Sequence, residues 1–248
     1  MPELPEVETV RRGLVPALEG RRIARVEVRR PDLRFPFPDR FAERLEGRAV
    51  ETLGRRAKYL IATLDSEDVL VMHLGMTGRF TVSRRPDETA TVLGEYTYSH
   101  GGDPAHDHVV LHMTGGATVT YNDARRFGFM TFAERGRPEA CTYLSGLGVE
   151  PLGNELSADY IAKVAHGKRC DIKAFLLDQR IVAGLGNIYV CEVLHRAGLK
   201  PSRPASVLAT RAGRANAAAG LVVAEIRAVL DEAIRAGGST LRDYKTAD

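Results

Sequence analysis

Met1-Pro2-Glu3-Leu4-Pro5-Glu6-Val7-Glu8-Thr9 opens the chain and runs on into Val10-Arg11-Arg12-Gly13-Leu14-Val15-Pro16-Ala17-Leu18. Leu4, Val7, Val10, Leu14 and Leu18 recur at steps of three or four, Pro5 suits a first helical turn, and Gly20 suits a stop. Residues 4–18 therefore read as one amphipathic helix. Beyond it the period changes. Val26 and Val28 alternate with charged residues, and Lys58–Leu64, Val69–His73 and Arg79–Val82 read as successive strands. Val109–Met113 and Thr118–Tyr121 flank Thr114-Gly115-Gly116-Ala117 as a hairpin, whereas residues 83–107, rich in Gly, Pro, Ser and acids, read as a long loop. From Ser157 to Ala236 the pattern is helical, broken at Gly167, Gly184/Gly186, Gly198-Leu199-Lys200-Pro201 and Gly237-Gly238. Leu221, Val222, Glu225, Val229 and Ile234 belong to a long amphipathic helix. The expectation is an α+β chain. A helix-led β-sandwich domain occupies residues 1–134, and a helical domain occupies 135–248, with its helices over about 150–237.

A chain of 248 residues with 44% hydrophobic content can build two cores. No apolar run is long enough to span a bilayer, and three glutamates within the first eight residues, with no apolar segment behind them, argue against a signal peptide. A bacterial cytoplasmic, nucleoid-associated protein is expected. Cys141, Cys170 and Cys191 are odd in number and widely spaced, which argues against a disulfide framework and against zinc. His106, His108 and His112 share strand parity, but they read as an outward polar face of a hairpin rather than a metal site. The net charge of +3 is uneven: residues 161–214 hold ten Lys or Arg against three acids, a local +7. Such a region suits a phosphate backbone, and equally a solvated helical face.

Proline after an initiator Met permits Met removal and leaves a secondary amine. An α-amino group titrates at about 8 against about 10.4 for Lys, so roughly a tenth of it is neutral at pH 7. Attack of that amine on a sugar C1′ gives an iminium ion, an electron sink for later elimination. Glu3 beside it can act as general acid to the ring oxygen. By composition alone, Pro2-Glu3 reads equally well as an ordinary terminus with a helix behind it.

The whole string Pro2 to Thr9, followed by Arg11-Arg12-Gly13, closely resembles the opening of bacterial formamidopyrimidine-DNA glycosylases. Further blocks follow in family order. Arg55-Arg56-Ala57-Lys58-Tyr59-Leu60 resembles the catalytic-lysine strand, and His73-Leu74-Gly75-Met76-Thr77-Gly78 the intercalation loop. His106-Asp107-His108-Val109 and Asp123-Ala124-Arg125-Arg126-Phe127-Gly128 match two more blocks, and Gly184-Leu185-Gly186-Asn187-Ile188-Tyr189 resembles the helix-two-turn-helix signature. The resemblance implies a bifunctional glycosylase and abasic-site lyase that removes oxidised purines from duplex DNA. Pro2 would be the Schiff-base nucleophile, Glu3 the acid, and Glu6 a residue positioning the lesion sugar. Lys58 would hold phosphate near the lesion and donate a proton in β-elimination. Met76, Arg125 and Phe127 would fill the space left by the flipped nucleotide, a role suited to apolar and planar side chains. Arg125 would also read the orphaned base. His106 and Lys168 match DNA-contact positions, and Asn187 sits where freed backbone N–H groups at a helix start suit phosphate. Damaged double-stranded DNA is the implied partner of a monomer, with no membrane involved.

The sequence departs from the family at three places. Ala124 stands where the family usually has Pro, and the 83–107 stretch is longer than usual. The chain stops at Arg242-Asp243-Tyr244-Lys245-Thr246-Ala247-Asp248, where the family continues into a four-cysteine zinc finger carrying an Arg assigned to δ-elimination. On that reading this chain has no cofactor, and one structural Zn2+ is expected only if the full-length protein has the finger. Weak DNA binding, poor turnover and β- over δ-elimination are expected of these 248 residues. An endonuclease VIII-like glycosylase for oxidised pyrimidines would share Pro2, Glu3 and Lys58-type chemistry, and a truncated, non-catalytic damaged-DNA-binding protein would explain residues 161–214. The Leu4–Thr9 string with Met76, Arg125 and Phe127 favours the purine enzyme. A tautomerase using Pro2 as base would need no basic helical domain.

Overall fold

A computed structural model of the chain describes residues 2–84, 89–93, 103–137 and 140–238. Part of the 83–107 stretch and all of 242–248 lie outside the described residues. The described chain forms two compact units, one built on Met1–Ser145 with Gly237 and Gly238, the other on Gly146–Ala236.

The first unit opens with α1 (Leu4–Leu18), whose Leu4, Val7, Val10, Leu14 and Leu18 are all buried, as the period of the sequence requires. Two antiparallel sheets follow. One has the order β2 (Val50–Arg56), β3 (Tyr59–Leu64), β4 (Asp68–His73), β9 (Phe129–Glu134). The other has the order β1 (Ile23–Val28), β7 (Asp107–Met113), β8 (Thr118–Asn122), β5 (Arg79–Ser83), β6 (Thr91–Leu93). A short helix α2 (Phe41–Leu45) links β1 to β2. One core joins α1 (Val7, Val10, Leu14) to the first sheet (Leu53, Leu60, Met72) and the second (Phe80, Leu111, Tyr121). Each such large apolar side chain contributes about 1.5–3 kcal/mol through burial.

Three expectations are corrected in detail. Lys58 is not on a strand. Arg56 pairs with Tyr59, so Ala57 and Lys58 are the two residues of the β2–β3 turn, with Ala57 in the left-handed region at φ 52°. Alternation cannot separate the last strand residue from the first turn residue. The 83–107 stretch is not all loop, because β6 pairs with β5 and a 3-10 turn spans Pro104–His106. The three histidines do not share a face. His106 precedes β7, and a bulge between Asp107 and Val109 leaves His108 buried and His112 half-buried.

The second unit packs α3 (Ala158–Ala165), α4 (Ile172–Leu177), α5 (Asn187–Arg196) and α6 (Ala217–Arg235) around Ile161, Phe175, Val190, Val193, Ile226 and Leu230. Ser157 and Asn216 cap α3 and α6, accepting from Tyr160 N–H at 3.1 Å and Ala219 N–H at 3.1 Å. Between α4 and α5 the chain makes two turns, clamped by Gln179. Its side chain donates to the Leu177 and Leu185 carbonyls at 2.9 and 2.7 Å and accepts from Gly184 N–H at 2.8 Å.

Glu8 fastens α1 to the first sheet. Its carboxylate accepts from Arg11 at 2.8 and 2.9 Å and from Arg12 at 2.9 Å, and Arg55 of β2 lies 3.4 Å away. Burial alone would raise its pKa, but the hydrogen bonds from Arg11 and Arg12 and the charges of Arg11 and Arg55 hold it at about 2. The stabilisation is therefore present in full above the ordinary value of 4.5 and is lost as pH falls toward 2. Glu8→Gln should cost about 1.5–3 kcal/mol at neutral pH, as expected for lost charge-assisted bonds. Urea titrations from neutral to acid pH should show the wild type and Glu8→Gln converging at the acid end. A gap that stays constant with pH would show that the network is not ionic.

Candidate active site

The N-terminus of α1 gathers the acidic groups. Pro5 lies in its first turn, Glu3 is its N-cap, and Glu3 N–H donates to Glu6 Oε2 at 2.8 Å in a reciprocal capping pair. Negative charge is favourable at this end of a helix dipole. Pro2 is buried, and Glu3 and Glu6 are only 4% and 3% exposed. Lys58 reaches this group from the β2–β3 turn and is 7% exposed. Burial pushes its amine below the usual lysine range, while the charges of Glu3 and Glu6 work in the opposite direction. Pro2, the carboxyl groups of Glu3 and Glu6 and a depressed lysine are thus all buried, the setting in which proton transfers are tuned.

One row across the first sheet carries this site toward two loops. Arg56, Tyr59, His73 and Phe129 are successive register partners on β2, β3, β4 and β9. His73 stacks on Phe129 at 5.3 Å and 21° and lies 5.0 Å from the Tyr59 ring. Burial, then the charges of Lys58 and Arg34, lowers its pKa to about 4, so it is neutral at pH 7. Its Nδ1 accepts from Gly75 N–H at 3.1 Å, which leaves the ring proton on Nε2. The sequence reading placed His73 in a motif without assigning it a part.

Met76 and the pair Arg125 and Phe127 sit on the two loops that leave this row. Met76 is half-buried, Arg125 is exposed, and Phe127 is 41% exposed, with the Arg125 guanidinium 4.7 Å from its ring centroid. The loops meet backbone to backbone. Gly75 has φ 63°, and a Cβ there would lie 2.3 Å from both Gly128 N and the Phe127 carbonyl carbon. His106 closes the neighbouring 3-10 turn, and its carbonyl accepts from Asp123 N–H at 3.0 Å. Among these loop residues Asp123, Thr77 and Tyr121 went unremarked as individuals in the sequence, because nothing in the motif strings says which side chains turn inward.

Lys168 and Asn187 belong to the second unit and are exposed. Asn187 is the first residue of α5, behind the N-cap Gly186, where helical N–H groups have no intrahelical acceptor. Among the described residues no group of three or more His, Cys, Asp or Glu could hold a metal ion. No described helix is long and apolar enough to cross a membrane.

Comparison with known proteins bears on all of this. A family model described as the formamidopyrimidine-DNA glycosylase N-terminal domain matches residues 1–130, and one described as the formamidopyrimidine-DNA glycosylase H2TH domain matches residues 147–245. The formamidopyrimidine-DNA glycosylase of Methylorubrum extorquens is 58% identical over 250 aligned residues, covering 100% of this chain and 83% of that protein. The MutM (Fpg) protein of Thermus thermophilus superposes with a TM-score of 0.75 at 37% identity, over 97% of this chain and 79% of that one. The Lactococcus lactis Fpg (MutM), solved with DNA containing N7-benzyl-Fapy-dG, gives a TM-score of 0.79 at 29% identity, over 98% and 82%.

The contact at Gly75 sets a test of the loop packing. Gly75→Ala places a Cβ against backbone and a side chain at positive φ, and should cost about 1–3 kcal/mol. Gly220, inside α6, has nothing within 4 Å of an added Cβ. Gly220→Ala should stabilise by about 0.5–1 kcal/mol, the ordinary helix preference. Thermal unfolding of the two variants should move Tm in opposite directions. Equal shifts would mean that the loops do not interlock at Gly75.

Proposed function

The chain belongs to the formamidopyrimidine-DNA glycosylase family, and from that footing we propose that it excises oxidised purines, formamidopyrimidines and 8-oxoguanine, from duplex DNA with Pro2 as nucleophile. The observation that carries the reading is the buried group of Pro2, Glu3, Glu6 and Lys58 at the start of α1. The relatives named above favour neither a pyrimidine-specific enzyme nor a non-catalytic DNA-binding protein. Residues 1–134 form the catalytic part and residues 135–248 the helical DNA-binding part. The enzyme works as a monomer on chromosomal DNA in the bacterial cytoplasm.

With Met1 removed, the neutral Pro2 nitrogen attacks C1′ of the damaged nucleotide, the base leaves with the bonding pair of its C1′–N bond, and the proton released by the Pro2 nitrogen balances the one the base takes up. Glu3 protonates the ring oxygen as the sugar opens, and the nitrogen and C1′ become an iminium ion. Loss of a C2′ proton leaves its electron pair in an enamine, and return of that pair forms the C2′–C3′ double bond, restores the iminium and expels the 3′ phosphate with the C3′–O bonding pair. Glu6 holds the sugar. Lys58 holds the neighbouring phosphate and supplies a proton during elimination. The base must leave the stack first, at a cost of a few kcal/mol. Met76, Arg125 and Phe127 offset that cost by filling the gap, while His106, Lys168 and Asn187 contact the backbone.

Borohydride should trap the chain on a duplex with 8-oxoguanine opposite cytosine, and mass spectrometry should place the adduct on the Pro2 nitrogen. A variant that retains Met1 should not be trapped, because its Pro2 nitrogen is an amide. An adduct on Lys58 would overturn the assignment.

The pH profile tests the second amine. Pro2 must be neutral, which gives an acid limb, and Lys58 must be protonated, which gives an alkaline limb at lower pH than an ordinary lysine allows. Glu6 raises the Lys58 pKa, so Glu6→Gln should move the alkaline limb further down, and Lys58→Arg should remove it. Single-turnover excision rates from about pH 6 to 10 read both effects. An alkaline limb that survives in Lys58→Arg would assign it to another group.

A further inference from the structure

Asp123 is fully buried, and the segments that carry Met76, His106, Arg125 and Phe127 are all hydrogen-bonded to it. Its Oδ1 accepts from the Thr77 hydroxyl, next to Met76, and from Arg125 N–H at 3.3 Å. Its Oδ2 accepts from Gly128 N–H at 2.9 Å, next to Phe127, and from the Tyr121 hydroxyl at 3.2 Å. Its own N–H donates to the His106 carbonyl at 3.0 Å, and its carbonyl accepts from His108 Nε2 at 2.8 Å and Arg126 N–H at 3.3 Å. Arg125 N–H lies 3.2 Å from Thr77 Oγ1 as well, so the two loops are also joined directly. The Tyr121 hydroxyl fits because residues 78 and 128 lack side chains: a Cβ would come within 2.4 Å of it at Gly78 and 1.8 Å at Gly128.

We propose that Asp123 is a positioning residue that locks the Met76 loop and the Arg125–Phe127 loop into one rigid wedge, so that the three side chains enter the duplex as a unit. The inference rests on the DNA-facing reading of those residues given above. The chemistry of the donor set supports it. A buried carboxylate is unfavourable unless its lone pairs are filled, and here donors from both loops fill them. What the carboxylate adds is direction, since each bond fixes the heading of a loop backbone. No proline ring restrains residues 123–128, and Arg126 sits at φ 55°, so the conformation of this loop depends on those bonds. A wedge that is ordered before binding loses less entropy when it inserts.

The test is Asp123→Asn in the full chain. One side of an Asn amide cannot accept, so the variant leaves a backbone N–H, of Arg125 or of Gly128, facing an NH2 group. Initial excision rates are compared for 8-oxoguanine opposite cytosine and opposite adenine in the wild type, Arg125→Ala, Asp123→Asn and the double variant. Arg125→Ala and Asp123→Asn should each lower the cytosine preference by about tenfold, the size of one lost hydrogen bond. In the Asp123→Asn background, Arg125→Ala should add less than about twofold, the mark of residues acting as one unit. A purely structural Asp123 would lower both rates together, keep the cytosine-to-adenine ratio and leave the Arg125 effect whole, and that result overturns the proposal. If Arg125→Ala leaves the ratio untouched in the wild-type chain, the DNA-facing reading itself fails. Should Asp123→Asn give no cooperative unfolding transition, Thr77→Val cuts a single link and is read the same way against Met76→Ala. Additive losses in that pair also overturn the proposal.

Discussion

Glu3, Glu6 and Glu8 are each less than a tenth exposed at one end of a single helix, and the first unit is arranged around making that tolerable. Three carboxylates in a low-dielectric site repel one another and lose their hydration. The apolar stripe of α1 presses them inward, since Leu4, Val7 and Val10 cannot be buried without drawing the intervening acids in as well. Two kinds of compensation result. Arg11, Arg12 and Arg55 surround Glu8 and make it a fixed anion. Glu3 and Glu6 face the dipole of their own helix and the amine of Lys58.

That inequality divides structure from chemistry. Glu8 has more positive charge than it needs and serves as a fastener between α1 and β2. Beside Glu3 and Glu6 stands Lys58, whose amine is pushed down by its own burial. Groups held near the edge of their charged state are the ones that exchange protons readily at working pH. On the proposed mechanism the same burial keeps water away from the Pro2 nitrogen.

Much of this was legible in the sequence. The 3.6-residue period marked α1, and the alternation marked β3, β4, β5, β7 and β8. The motif strings singled out Pro2, Glu3 and Lys58, which the structure buries at the start of α1 and in the β2–β3 turn. What stayed hidden has physical reasons. Lys58 sits one residue before the start of β3, and hydrophobic period carries no information at a turn. β6 is three residues long with one exposed and two half-buried positions, so it has no buried face to leave a pattern. Asp123 looks in sequence like any turn-forming Asp before two arginines. Its burial and its bonds to residues 77, 106 and 128 arise only from pairings distant along the chain.

Topology explains why those pairings occur where they do. The chain crosses between the sheets twice at this end, from β4 to β5 through residues 74–78 and from β8 to β9 through residues 123–128. Because β4 pairs with β9 and β5 pairs with β8, the two crossings must run side by side. His73 opposite Phe129 closes one flank of the pair, and Arg79 opposite Asn122 closes the other. The β2–β3 turn ends on the same row, since Tyr59 is opposite His73. Strand order thus brings Met76, Arg125, Phe127 and Lys58 to one rim. What strand order cannot do is hold two adjoining crossings in one conformation, because neither has ladder bonds of its own. A buried acceptor between them can, and Asp123 occupies that position.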